Sequence, residues 1–230
     1  MDRVLHDVSR RNTYLKMLLP SAVYMTLYVV TWMCLERMQP DRVTVIHMTI
    51  DDYIPFVEVF IIPYMAWFAY AVGTVLFFFL TMRKDEYYRL ITFLYVGMTV
   101  FLVVSFVSPN VHYLRPAQFA RDNVFTAIIA GLYRADTPTN LWPSIHVYNA
   151  IGAHCAIMHS DFFKTRPVLR RMSFVTCVLI ILSTMFIKQH SVFDVLTAFA
   201  MSIIMYLLVY QLGEVAYEKR KLKDRSLQGL

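Results

Sequence analysis

Cysteine is scarce in this chain and poorly placed for cross-linking. There are three, Cys34, Cys155 and Cys177, each within an apolar run. An odd number in such positions argues against a disulfide framework, and none has a histidine at zinc-site spacing. They read as small buried hydrophobes. A long linker, a low-complexity tract and an internal repeat are also missing. The expectation is therefore one domain over 1–230, without the repeated halves common in transporters. Charge is sparse as well: 17% of residues are charged and 58% hydrophobic, with 15% aromatic and a mean hydropathy of +0.50. A water-soluble domain of this length would not need so much apolar surface.

What the chain does have is long apolar runs. Six reach or approach the ~20 residues that cross a bilayer, over 17–35, 59–82, 88–107, 143–158, 172–188 and 192–212. The fourth and fifth are short, as expected where polar site residues occupy their outer ends. The first follows a polar, basic leader without a small-residue cleavage site and reads as a retained helix. The expected fold class is all-α, an integral-membrane bundle of six transmembrane helices. In the outer segment 108–142, Phe125, Ile128, Ile129 and Leu132 recur at helical spacing and predict a short amphipathic helix before the fourth span. The run Asp136-Thr137-Pro138-Thr139-Asn140 combines turn and helix-start chemistry.

Basic residues set the expected orientation. Arg3, Arg10, Arg11 and Lys16 precede the first span. Arg83, Lys84 and Arg89 separate the second from the third, and Lys164, Arg166, Arg170 and Arg171 the fourth from the fifth. Lys219, Arg220, Lys221, Lys223 and Arg225 follow the sixth. These are 16 of the 22 basic residues. They predict a multi-pass protein of the cell membrane with both termini cytoplasmic. The net charge of +6 then needs no nucleic-acid partner, since topology explains most of it. The basic stretch Tyr217–Arg225 reads as an anchor at the inner surface.

Two clusters near the opposite face carry the chemistry, Trp142-Pro143-Ser144-Ile145-His146 and Ser183 to Asp194. In the second, His190 and Asp194 stand four apart, so a carboxylate lies one helical turn from an imidazole. That spacing orients a histidine for acid, base or nucleophilic work. His146, from another segment, makes a two-histidine site. Polar groups at such depth are expensive to keep, and a functional reading is the default.

In this order the residues resemble the type-2 phosphatidic acid phosphatase superfamily of integral-membrane lipid phosphate phosphatases. Its pattern is Lys-x₆-Arg-Pro, then Pro-Ser-Gly-His, then Ser-Arg-x₅-His-x₃-Asp. Arg115-Pro116 matches the end of the first element, Pro143-Ser144-Ile145-His146 the second except for its glycine, and Ser183-Thr184 with His190 and Asp194 the third except for its arginine. The resemblance covers roughly 50–212. It implies that His190 is a nucleophile forming a phosphohistidine, held by Asp194. It also implies that His146 protonates the leaving alcohol and then activates water, and that Arg115 grips phosphoryl oxygens. The substrate would be a membrane lipid phosphate or pyrophosphate: a polyprenyl pyrophosphate, phosphatidylglycerol phosphate or phosphatidic acid. No metal or other cofactor is implied. Pro143 suits the first turn of the fourth span, and Ser144 with the Ile145 N–H would then face outward as an anion site.

The departures bear on mechanism. The family lysine falls at Ser108, and the arginine of the third element at Thr184. Phosphoryl transfer depends on electrostatic clamping. Lys188, four residues beyond Thr184 and so on the same helical face, is expected to deliver the lost charge to the phosphate beside Thr184; Arg121 and Arg134 are further candidates. Loss of that arginine also resembles the sphingomyelin and inositol-phosphorylceramide synthase branch. An exofacial head-group phosphotransferase is therefore the alternative, ahead of an inactive family member or a transporter. Asp51, Asp52 and Glu58 form an outer acidic cluster without ligand spacing, expected to be structural.

Overall fold

The computed structural model describes residues 2–38, 40 and 42–213, with side chains from Asn12 onward. The leader arginines Arg3, Arg10 and Arg11 therefore lack described side chains, and the basic stretch Tyr217–Arg225 lies outside the described residues.

The chain is mostly helical. Helix α1 (Asp2–Arg37) leads through a loop to α2 (Ile61–Leu80) and α3 (Lys84–Val107). Next come α4 (Val124–Ala135), α5 (Ile145–His159), the single turn α6 (Asp161–Lys164), α7 (Pro167–Phe186) and α8 (Val192–Tyr206). Helix α8 continues as a wider-wound segment over Leu207–Leu212. Among the described residues, five stretches are long and apolar enough to cross a membrane: Asn12–Arg37, Glu58–Leu80, Lys84–Val107, Pro167–Phe186 and Val192–Leu212. Their outward faces are oily, with Phe68 and Phe106 each 65% exposed. Surfaces of that kind belong in lipid. The chain is thus a multi-pass membrane protein.

The run expected as a fourth span, 143–158, forms α5. It has 15 residues, about 22 Å at the helical rise, less than the ~30 Å of a hydrocarbon core. Its setting differs from that of the others. It packs against α2, α3, α7 and α8, and Val147, Tyr148, Ala150 and Ala153 are wholly buried. Protein, rather than lipid, surrounds it, which is why Asn149 and His154 are tolerated along its length.

Close packing of α3 on α5 depends on two glycines. A Cβ on Gly97 would lie 2.0 Å from the Tyr148 ring, and one on Gly152 would lie 2.6 Å from the Phe93 ring. Those rings stack at 4.8 Å, and the Tyr148 hydroxyl donates to the Phe93 carbonyl at 2.7 Å. Neither ring has room to withdraw. Gly97→Ala should therefore cost about 1–3 kcal/mol through overpacking, read as a lower melting temperature in detergent. An unchanged melt would show that α3 and α5 can separate freely here.

The loops at one end are stitched together. Strands β1 (Thr44–Val45) and β2 (Asn110–Val111) pair in parallel, tying the first loop to the segment after α3. The Val57 N–H donates to the Phe186 carbonyl at 3.0 Å, tying the same loop to the end of α7. Helix α4 starts at Asn123, whose side chain accepts the N–H groups of Phe125 and Thr126. It buries Ile129 against Ile61, Tyr64 and Ile187. The run 136–140 forms a turn, with Asn140 at φ 51°, and starts no helix. The next helix start is Ser144, whose hydroxyl caps α5, so Pro143 stands just outside the helix instead of in its first turn.

Candidate active site

The N-terminus of α5 and the α7–α8 turn meet at this stitched end. His190 sits on the turn, and its N–H and that of Gln189 both donate to the Thr184 carbonyl, at 3.0 and 2.9 Å. Ser191 caps α8. Its hydroxyl accepts from the Phe193 N–H, and the Asp194 carboxylate reaches back to the Ser191 N–H at 3.1 Å. This reciprocal cap places Asp194 Oδ2 3.3 Å from His190 Nδ1. Across 44 residues of chain, His146 Nδ1 lies 3.2 Å from His190 Nε2. The two histidines and the carboxylate expected from the sequence are therefore together.

With Asp194 ionised, the histidine contacts are satisfied as follows. His190 Nδ1–H donates to Asp194, so Nε2 carries the lone pair. His146 Nδ1–H then donates to it, and His146 Nε2 lies 3.0 Å from the Tyr64 hydroxyl, which itself donates to Asp136 Oδ2 at 3.4 Å. His146 is also wedged against the Trp67 and Tyr64 rings, with centroids at 4.4 and 4.9 Å. Burial, reinforced by the Arg115 charge, pushes His190 down to about 3, so its imidazole is neutral at physiological pH.

Arg115 approaches from the loop after β2. Its guanidinium lies over the Tyr133 ring at 4.3 Å, donates to the Tyr133 carbonyl at 3.2 Å and to Gln189 Oε1, and keeps a buried Nε–H without a partner. Through Gln189 it is one residue from the nucleophile candidate. Gln189 is itself buried, and its amide donates to Asp136 at 3.3 Å. His112, also buried, donates from Nε2 to the Gln189 carbonyl at 2.9 Å. Tyr133 donates to the Ile187 carbonyl at 2.5 Å. The turn bearing His190 is thus held by side chains from three other segments.

Three of the expected phosphate ligands stand differently. Thr184 is buried, and its hydroxyl donates to the Ile181 carbonyl at 2.7 Å; its contribution is the carbonyl that closes the turn. Ser144 is buried as a helix cap, and its N–H donates to the Asp194 carbonyl at 3.3 Å. Ile145 supplies the first helical N–H of α5 beside it. Lys188 turns away. Helix α7 stops at Phe186, and Lys188 adopts φ 55°, so its side chain leaves the helical face it shares with Thr184 in the sequence. Its ammonium donates to the Asp51 carbonyl at 2.7 Å and lines a separate pocket with His47, Asp52 and Tyr113. Burial lowers its pKa, against the pull of Asp51 and Asp52.

The other cation positions do not converge on the histidines either. Ser108 pairs with Thr44 beside the β1–β2 ribbon at 3.2 Å. Arg121 bridges Glu58 at 3.2 Å with its side chain 77% exposed, and Arg134 is exposed. Lys188→Ala should therefore lower stability by about 1–3 kcal/mol, the range for a buried charge-assisted hydrogen bond, and Thr184→Arg should not rescue it. A large activity loss with an unchanged melting temperature would restore the phosphate-clamp reading.

Sequence reasoning expected Asp51 to be structural but missed its place at the site. It is buried and brackets the turn: Oδ2 accepts from the Ser191 hydroxyl at 2.6 Å and the Met48 N–H at 2.8 Å, and Oδ1 accepts from the Val192 N–H at 2.8 Å. It forms part of the α8 helix start, 140 residues away in sequence. Tyr64, His112, Asp136 and Gln189 were missed too. Only Gln189, beside His190, had any signal. No cluster of metal-ligating side chains occurs among the described residues.

Comparison with known proteins gives no further constraint: no family model, curated protein or solved structure matches this chain.

Proposed function

We propose that this protein is an integral-membrane lipid phosphatase working through a phosphohistidine on His190. One observation carries the reading: His190 Nδ1 lies 3.3 Å from the Asp194 carboxylate while its Nε2 faces Nδ1 of a second histidine 3.2 Å away. A phosphoryl group entering between the two rings would meet a nucleophile on one side and an acid on the other. His190 Nε2 would bond to phosphorus as the bond to the leaving oxygen breaks, and His146, protonated on both nitrogens in the substrate complex, would give its Nδ1 proton to that oxygen and become the neutral base. Water would follow, giving its proton to His146 as the P–N bond breaks and phosphate leaves. Asp194 would stabilise the imidazolium formed in between, and the spare Nε–H of Arg115 would meet the phosphoryl oxygens. Tyr64, between His146 Nε2 and Asp136, holds the His146 ring in place for this role.

On this reading α5 is the sixth crossing, short because its outer end opens into the site. Helix α4 is an amphipathic cover over the site. The site end is extracytoplasmic, since Arg83, Lys84, Arg89, Lys164, Arg166, Arg170 and Arg171 gather at the opposite end. In a cysteine-free background, Asp122→Cys should react with an impermeant thiol reagent in intact cells and Thr165→Cys should not; the reverse pattern would invert the orientation.

The substrate is a lipid with a terminal phosphate or pyrophosphate. The direct test is purified protein in detergent and EDTA, offered polyprenyl pyrophosphates, phosphatidylglycerol phosphate and phosphatidic acid. Phosphate release and new lipid are followed in parallel. Metal-independent phosphate release supports the phosphatase. New phospholipid without phosphate release would move the assignment to a head-group transferase. Turnover that EDTA abolishes would remove the mechanism.

A further inference from the structure

A second site lies at the other end of the bundle. Helices α5 and α7 line an open groove there of about 500 Å³, with His154, Met158, Arg170, Arg171, Phe174 and Val175 on its walls. One end of it is cationic and the rest is apolar. Phe174 and Val175 are 57% and 54% exposed and continue the wall along α7.

The two arginines are not used by the protein as their neighbours are. Arg83 pairs with Glu86, Lys164 with Asp161, and Arg166 lies over the Phe162 ring at 3.7 Å. No carboxylate lies within ion-pair distance of Arg170 or Arg171 among the described residues. Arg170 is drawn across the groove by Met158, whose sulfur is 3.3 Å from Nε. Both arginines stand just past the first turn of α7, and that turn has no acidic residue to pair with them.

His154 is oriented from behind. The Tyr70 hydroxyl lies 2.6 Å from Ser173 Oγ, and Ser173 Oγ lies 2.8 Å from His154 Nδ1. With Tyr70 donating to Ser173 and Ser173 to His154, the proton of this neutral imidazole is on Nε2, available to an acceptor. Two guanidiniums and an N–H donor at the mouth of an oily groove match an anionic head on an apolar tail.

We infer that the α5–α7 groove binds an anionic phospholipid of the leaflet opposite the histidine site. Its phosphate sits on Arg170, Arg171 and His154, and its acyl chains lie along Phe174 and Val175. Occupancy would tie together the two helices that lead to His146 and His190. A comparison is built into the same end. The cavity of about 360 Å³ between α3 and the end of α8 has Arg89 but also Asp85 on its wall, and is not matched to an anion.

The test uses the full chain in detergent, titrated with phosphatidylglycerol, phosphatidylcholine or soluble glycerol phosphate. Melting temperature and retained lipid by native mass spectrometry are both read. Phosphatidylglycerol should raise the melting temperature and remain bound, while the other two should do neither. Arg170→Gln with Arg171→Gln should weaken phosphatidylglycerol about tenfold or more, whereas Lys84→Gln with Arg89→Gln on the same face should not. If the first double variant does not fold, salt dependence of the wild-type response decides. The excess stabilisation by phosphatidylglycerol over phosphatidylcholine should shrink as salt rises from low to high. Equal stabilisation by the two lipids, or an Arg170/Arg171 variant that binds like wild type, would overturn the site.

Discussion

His190→Ala is expected to lower turnover of a lipid phosphate by about 10⁴-fold or more while the protein still folds. The reasoning is local. His190 offers the only imidazole nitrogen at the site that faces a second histidine and is backed by a carboxylate through its other nitrogen. Its removal takes away the proposed nucleophile and leaves Asp194 buried with only the Ser191 N–H near Oδ2. His146→Ala should fall less far, about 10²–10⁴-fold, because it removes proton transfer and leaves the attacking atom in place. It should lose least on substrates whose leaving group needs no proton. Equal losses on good and poor leaving groups would count against His146 as the acid.

Asp51→Ala should be the most damaging change outside the two histidines. The carboxylate accepts from the Ser191 hydroxyl, the Val192 N–H and the Met48 N–H. Truncation strands three buried donors around the turn that carries His190, each worth about 1–3 kcal/mol when left unmade. A loss of about 3 kcal/mol in stability is expected, after partial relaxation. In the fraction that folds, kcat should fall with little change in KM, because Asp51 positions the turn and does not reach the histidines. Asp51→Asn should recover part of both, since its carbonyl can still accept from Val192 and its amide can donate to Ser191. If Asp51→Ala melts normally and turns over normally, the turn is held by Gln189, Tyr133 and His112 without it.

Much of the architecture is legible in the sequence, because a lipid environment demands long apolar runs and little else. The limits of the runs are less legible. The run expected from 172 begins at Pro167, since Arg170 and Arg171 lie inside the helix instead of in the loop before it. Ile187 and Lys188, expected as the end of that span, leave the helix, and that one departure from helical geometry redirects Lys188. A face computed from 3.6-residue spacing holds only while the helix does. The convergence of His146 and His190 has no signature in spacing; it came from the order of motifs, and the structure places the two rings together. Asp51, Tyr64, Asp136 and His112 reach the site through contacts across 53 to 140 residues of chain. Single-chain periodicity carries no information about such partners. Asp51 in particular looked like one of several outer acids, and only burial distinguishes it from Asp52, which is exposed and pairs with His47.

The most direct measurement is the covalent intermediate. Wild-type protein is incubated with a lipid phosphate carrying a labelled terminal phosphoryl group and quenched in alkali, where phosphohistidine survives. The wild type should carry label that acid removes, located on the peptide containing His190. His190→Ala should carry none. A wild-type enzyme that turns substrate over yet never becomes labelled, or a His190→Ala protein labelled to the same extent, would contradict the phosphohistidine mechanism.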